Sequence, residues 1–198
     1  MLVYPVVETF HSLQGEGYWV GTNAFFIRLA GCDVGCAWCD TKISWSEKKQ
    51  PKIPVSELVR LAKQANPKFV VITGGEPLMH NLAVLTEQLQ AENLAIHLET
   101  SGAYQLTGAF DWITLSPKTF KPPLPEIYAL ANELKVVVAD TNDLDWAEDQ
   151  ARLVHEKVPL FLQPEWHNPV SHQLVMDYIY SHPKWRLSLQ THKLLGIR

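Results

Sequence analysis

All three cysteines of this chain fall within eight residues, at Cys32, Cys36 and Cys39. Their C-x3-C-x2-C spacing can set three thiolates around three irons of a cubane cluster and leave the fourth iron without a protein ligand, open for chemistry. A structural zinc site instead takes four Cys or His ligands, usually in paired hooks. With three thiols, the chain would need a histidine such as His11 to complete one. A second element with chemical content is Thr73-Gly74-Gly75-Glu76-Pro77, where two residues without Cβ let backbone approach a ligand and Glu76 adds a carboxylate. Taken alone, that run also reads as an ordinary turn.

These residues need a scaffold, and the surrounding pattern supplies one. Short apolar or β-branched runs recur at 24–29, 69–73, 95–100, 112–116, 134–138, 160–163 and 185–189, and each reads as a strand. Helical periodicity occupies 55–65, 82–92, 126–131, 144–156 and 171–181, with Ser56 and Ser171 expected as N-caps of the first and last. Strand alternating with helix implies an α/β fold with a mainly parallel sheet of right-handed βα units. A closed eight-fold barrel takes about 250 residues. This chain has 198, so we expect one domain over residues 1–198, a partial β/α barrel of about six strands, open on one side. Ligand sites of such sheets gather at the carboxyl ends of the strands. There fall the cysteine loop, Thr73 to Pro77, Glu99 to Gly102, Ser116-Pro117-Lys118 and Gln163-Pro164-Glu165, while the lysine-rich stretch 42–54 reads as a loop.

The bulk properties narrow the partners. With 17 basic against 21 acidic residues and a formal net charge of -4, the chain has no field to draw it to nucleic acid or an anionic membrane. A small molecule is the expected partner. No long apolar run and no basic-then-apolar start is present, so a cytoplasmic protein is expected. An odd, clustered set of cysteines argues for a metal or redox site over a disulfide framework.

The cysteine loop, with the aromatic Trp38 before its last cysteine, resembles the signature of the radical S-adenosylmethionine (SAM) superfamily. The resemblance implies a 4Fe-4S cluster held by Cys32, Cys36 and Cys39, whose unique iron is chelated by SAM. It implies that reduction of the cluster releases a 5′-deoxyadenosyl radical, and that the motif containing Gly75 and Glu76 receives the SAM amino group. A more specific likeness lies in Glu8 to Gly17, Phe26 to Cys32 and Leu189 to Arg198, which look like the 7-carboxy-7-deazaguanine synthase family of the queuosine-precursor pathway. That family is a set of lyases converting 6-carboxy-5,6,7,8-tetrahydropterin to 7-carboxy-7-deazaguanine with loss of ammonia, started by hydrogen abstraction at C6.

By this resemblance the substrate is bound by Leu13, Gln14, Gly15, Glu16, Arg28, Thr73 and the terminal carboxylate of Arg198, and SAM is flanked by Trp38, Gly75, Glu76, Ser116, Pro117, Lys118, Gln163, Pro164, Glu165 and Trp166. Trp166 departs from the family pattern, in which a shorter polar residue is common. Thr41 matches a position that binds Mg2+; a turn cap is the alternative use of such a hydroxyl. Arg28 suits a bidentate clamp on the 6-carboxylate, or it snorkels from its strand. His97 and Glu99 alternate on one strand toward the barrel interior, with Ser101 beyond them. The apolar Leu194, Leu195 and Ile197 are expected to dock the tail over the site. The lysines of 42–52 offer a surface for an acidic flavodoxin-like or ferredoxin electron donor, and the family implies a homodimer. Two other readings remain at this point: a different radical SAM enzyme, such as a glycyl-radical activase, and a zinc-clipped binding module.

Overall fold

A computed structural model describes residues 2–198. One nine-stranded sheet runs through it in the order β3-β1-β2-β4-β5-β6-β7-β8-β9. Its strands are β1 Val3–Leu13, β2 Asn23–Leu29, β3 Lys52–Pro54, β4 Phe69–Gly74, β5 Ile96–Thr100, β6 Trp112–Leu115, β7 Glu133–Val138, β8 Leu160–Pro164 and β9 Trp185–Leu187. From β2 through β9 every neighbour pair is parallel, and β1 and β3 add an antiparallel edge. The sheet is open, as expected of a partial barrel, with seven parallel strands rather than about six and two further strands beyond them.

The helices are α1 Val55–Ala65, α2 Ala83–Ala91, α3 Thr141–Ala151, α4 Pro169–Ser181 and α5 Thr191–Leu195, and residues 125–130 form a 3-10 segment instead of an α-helix. Neither serine caps its helix. Pro54 holds the extended conformation of β3 and hands over directly to Val55, so α1 starts before Ser56. Asn168 caps α4 with Pro169 at the first helical position, and Ser171 lies inside, its hydroxyl donating to the carbonyls of Asn168 and Glu165.

Side chains alternate between the two faces of the strands, and that alternation makes the site. Ile27, Val70, Ile72, Leu98, Leu134, Val136 and Leu162 point outward and bury against apolar residues of α1, α2, α3 and α4. The inner positions are different in kind. At the amino ends Phe69 and His97 stack at 3.7 Å, and Trp19 packs edge-on against Phe69 and Trp112. Trp19 comes from the β1–β2 connection, so this connection plugs the barrel from below. Burial pushes His97 down to about 4, leaving it neutral in that aromatic layer. Above the plug the inner face turns polar, with Glu99, Thr114, Lys135 and Gln163.

Glu133 sits at the seam. It is 2% exposed and accepts from Tyr18 N and Trp112 Nε1, while its Oε1 has no partner. Burial pushes its carboxyl from 4.5 up to about 7. The folded chain therefore keeps a proton that the unfolded chain releases, and stability falls as pH rises from about 4.5 to about 7. Glu133→Gln should remove this slope, with little change at pH 5 and a gain of up to about 3 kcal/mol at pH 8. Urea unfolding at the two pH values measures it; an unchanged slope refutes the assignment.

Candidate active site

A cavity of about 410 Å³ opens at the carboxyl ends of the parallel strands, a size that suits a small-molecule ligand. The cysteine loop forms one wall. It leaves β2 at Leu29 and closes on itself through Gly31 N to Ser44 O at 2.8 Å and Cys32 N to Trp45 O at 3.2 Å. Cys32, Cys36 and Cys39 all line the cavity. Burial raises the pKa of Cys32 and Cys36, so both thiols stay protonated at neutral pH until a metal takes the proton's place. Among the described residues no group of three or more His, Cys, Asp or Glu side chains is arranged to hold a single ion, which gives the zinc reading no support. A cubane makes no such demand, because each thiolate binds its own iron.

The loop after β4 is locked to this wall. Gly75 N donates to Leu29 O at 3.1 Å and Glu76 N to Gly31 O at 2.8 Å. A Cβ on Gly75 would stand 2.3 Å from Gly31 O and 2.8 Å from Cys32 Cβ, so only glycine permits the contact. The Glu76 carboxylate is buried and takes four hydrogen bonds from its own chain. Leu78 N, at 3.0 Å, and Thr100 Oγ1, at 2.6 Å, donate to one oxygen; Ser101 N, at 2.7 Å, and Ser101 Oγ, at 2.5 Å, donate to the other. Those donors match the acceptor capacity of a carboxylate. Its side chain therefore pins β4 to β5.

Arg28 and Thr73 are register partners on β2 and β4 and line the cavity together. The Arg28 guanidinium donates to Glu8 at 2.9 Å through Nε, which aims the rest of the fork. Leu13 at the end of β1, with Gln14, Gly15 and Glu16 of the β1–β2 connection, floors the cavity. Lys118 Nζ donates to the carbonyl and the hydroxyl of Ser116, both at 2.6 Å, and stands 5.5 Å from the Trp38 ring centre. Burial lowers its pKa. Gln163, Pro164, Glu165 and Trp166 line the far wall, while Pro117 is buried outside the lining.

Three features were not foreseen. Lys135, on β7, lies 2.6 Å from Glu16 and 3.0 Å from Glu99 with 4% of its side chain exposed. A lone lysine in the apolar run Leu134 to Val138 was the available signal, the same kind that singles out Arg28. Asp40 is the second. Burial opposes its charge, but Lys193 at 2.6 Å, with help from Thr41 and Gln190, brings it down to about 2. The third is how the last segment is held. Thr191 donates to Gly15 O from N and Oγ1, Gln190 to Glu16, Lys193 to Asp40, Ser12 to Arg198 O and Arg198 to Glu8. Leu194, Leu195 and Ile197 are exposed at 63%, 66% and 40%, so the expected apolar docking is replaced by a polar seat. The segment still covers the cavity, which Gln190, His192, Lys193 and Arg198 line.

Comparison with known proteins agrees with this geometry. The radical SAM superfamily pattern matches residues 26–158. A 7-carboxy-7-deazaguanine synthase of Synechocystis sp. is 58% identical over 195 residues, covering 98% of this chain and 94% of that protein. A 7-carboxy-7-deazaguanine synthase of Flavobacterium psychrophilum is 50% identical over 194 residues, covering 98% and 92%. Among solved structures, the crystal structure of QueE from Escherichia coli superposes with a TM-score of 0.81 at 31% identity, over 94% of this chain and 93% of that one.

The β4 contact makes a testable demand on the cysteine wall. Gly75→Ala should keep its far-UV circular dichroism but bind less than half the iron and sulfide of the unaltered chain after anaerobic reconstitution, because the clash is with backbone and cannot be relieved by a rotamer. Full iron and sulfide in the variant would show that the contact does not position the cysteines.

Proposed function

The chain belongs to the radical SAM superfamily and, within it, to the 7-carboxy-7-deazaguanine synthases, and on that premise we propose how its own residues carry out the reaction. It is a lyase of 7-deazapurine (queuosine-precursor) biosynthesis that works with a 4Fe-4S cluster and SAM, acts on a pterin and draws on a reductant. The reaction turns 6-carboxy-5,6,7,8-tetrahydropterin into 7-carboxy-7-deazaguanine and ammonia. The observation that carries the reading to this site is the meeting, in one cavity, of the three cysteines, the Gly75 loop and the Arg28–Thr73 pair.

The residues present fit these groups. Cys32, Cys36 and Cys39 face the cavity from a loop whose backbone is fixed at both ends, as ligands of a rigid cluster must be. When bound, the cluster and SAM supply the 5′-deoxyadenosyl radical that takes hydrogen from C6 of the pterin. Lys118, fixed by Ser116, presents a cation for the SAM carboxylate beside Trp38, and Gly75 leaves backbone open to the amino group. Glu76 acts by holding that loop. Pro117 supports Lys118 from behind, and Gln163, Pro164, Glu165 and Trp166 flank SAM on the far wall.

Arg28 takes the 6-carboxylate with the guanidinium nitrogens that Glu8 leaves free, and Thr73 lies beside it. The backbone of Leu13, Gln14 and Gly15 with the carboxylate of Glu16 receives the pyrimidine edge, whose N–H groups need acceptors. Arg198 closes the cavity and excludes water from the radical. Thr41 and the ionised Asp40 offer hard oxygens for Mg2+, with substrate oxygens and water completing the shell of six that this ion prefers.

Lys42, Lys48, Lys49 and Lys52 are exposed beside the cysteine loop and supply charge for an acidic flavodoxin-like or ferredoxin donor. The continuous sheet supports a single domain over residues 1–198. No helix among the described residues is long and apolar enough to cross a membrane. We place the enzyme in the cytoplasm as a homodimer, with the exposed apolar side chains of α5 as surface for a partner.

Anaerobically reconstituted protein with SAM, Mg2+, reductant and the tetrahydropterin should release the deazaguanine acid and ammonia. Arg28→Gln should raise KM for the pterin about 10- to 100-fold, the worth of a lost charged hydrogen bond. An intact cluster with bound SAM and no turnover would overturn the reading.

A further inference from the structure

Lys135 has no role in the chemistry described so far, yet it is the most enclosed cation lining the cavity. Its ammonium lies between two carboxylates from distant parts of the chain. Glu16 comes from the β1–β2 connection and Glu99 from β5, with contacts of 2.6 and 3.0 Å. Further titratable groups face this one from each side: Glu133 two residues earlier on β7, Lys118 from beyond β6 near Glu99, and His192 of α5 near Glu16. Gln190 donates to the other oxygen of Glu16 at 2.8 Å, and Gln14 reaches Glu99 at 3.4 Å.

Two buried carboxylates this close cannot both stay ionised without a cation between them. Burial works against the charge on each. For Glu16 burial is outweighed by the Lys135 ammonium together with Gln190 and His192 and the pKa is lowered, while for Glu99 burial wins and the pKa is raised. Burial also opposes the charge on Lys135, but the three carboxylates around it prevail and its pKa is raised, so it stays protonated. Without the ammonium, Glu16 and Glu99 would share a proton, turning one acceptor into a donor.

We propose that Lys135 is a positioning residue for the pterin, holding Glu16 and Glu99 as two ionised, fixed acceptors for the N–H groups of the substrate's pyrimidine edge. This rests on the reading of the cavity as a pterin site. It gives Lys135 a part in substrate choice: a ligand whose edge offered acceptors in place of donors would meet two carboxylates.

The test compares Lys135→Met and Lys135→Arg with the unaltered enzyme from pH 6 to 9. In Lys135→Met, KM for the tetrahydropterin should rise about 10- to 100-fold at pH 6, with kcat changed less than threefold. The ratio of variant to unaltered KM should fall with rising pH, as the shared proton leaves; the ratio cancels titration of the substrate, and repeating it with both enzymes carrying Glu133→Gln removes the Glu133 carboxyl, whose pKa Lys135 itself lowers. Lys135→Arg, which keeps the charge, should hold this ratio flat. Cluster-loaded protein without reductant supplies a second readout, since the pterin should raise the unfolding temperature less in Lys135→Met than in the unaltered chain.

Should Lys135→Met fail to fold, Glu16→Gln/Lys135→Met relieves the buried repulsion. It should show a raised KM ratio that falls with rising pH, as the remaining Glu99 ionises. Unaltered KM in either Met variant, or a KM increase in Lys135→Met with no pH dependence, overturns the role of Lys135 while leaving the function in place. Unaltered enzyme that neither binds nor converts the pterin overturns both.

Discussion

The ends of β2 and β4 approach more closely than side chains allow, and the mouth of the cavity is built on that approach. Gly74 lies so near Leu29 O that a Cβ would stand at 2.3 Å, and Gly75 repeats the distance against Gly31 O. Two hydrogen bonds carry the strand ladder past the last residues of the strands, from Gly75 N and Glu76 N to Leu29 O and Gly31 O. The cysteine loop is thereby an extension of the sheet instead of a free connection. The same register sets Arg28 beside Thr73 one step earlier. A slip by one residue would turn Arg28 toward α1 and bring Leu29 into the cavity. Cluster wall and carboxylate clamp are therefore one decision of strand pairing.

The second constraint is charge. A barrel interior that takes a polar ligand has to bury polar groups, each needing a partner before the ligand arrives. Here they are graded along the strands. Aromatic rings of Phe69, His97, Trp112 and Trp19 close the amino ends, with the histidine neutral. The charged layer above them is balanced mainly through Lys135, and the uppermost layer uses hydrogen bonds, as around Glu76. Glu133 lies where the first two layers meet and satisfies only one of its oxygens.

Much of this was legible because the parallel strands are β-branched runs and the chemistry sits at their ends. β1 was not read as a strand: Pro5 interrupts it, and Glu8, Thr9, His11 and Ser12 break the apolar alternation of an edge strand with one polar side. The stretch 42–54 held a strand for a related reason, since β3 is three residues long and owes its existence to pairing with β1. Lys135 was hidden by its neighbours, and its partner Glu16 lies 119 residues away, beyond any local pattern. Apolar character at Leu194, Leu195 and Ile197 suggested docking, yet a short helix can dock by its polar side as well.

That polar seat ties the closing segment to the chemistry. Exposed ion pairs such as Lys193–Asp40 and Arg198–Glu8 are each worth about 0–1 kcal/mol. The segment is thus held by the sum of several weak contacts, with the largely exposed Leu194 and Leu195 adding little in the monomer. The groups it grips are themselves parts of the site: Asp40 follows the last cysteine, Glu16 is bound to Lys135, Glu8 orients Arg28, and Gly15 lacks a Cβ where the His192 ring packs. Protonating Asp40 or Glu16 would loosen the segment and the floor together. Both acids have their pKa values lowered by lysines, so over the neutral range the cover stays closed by the same charges that shape the cavity beneath it.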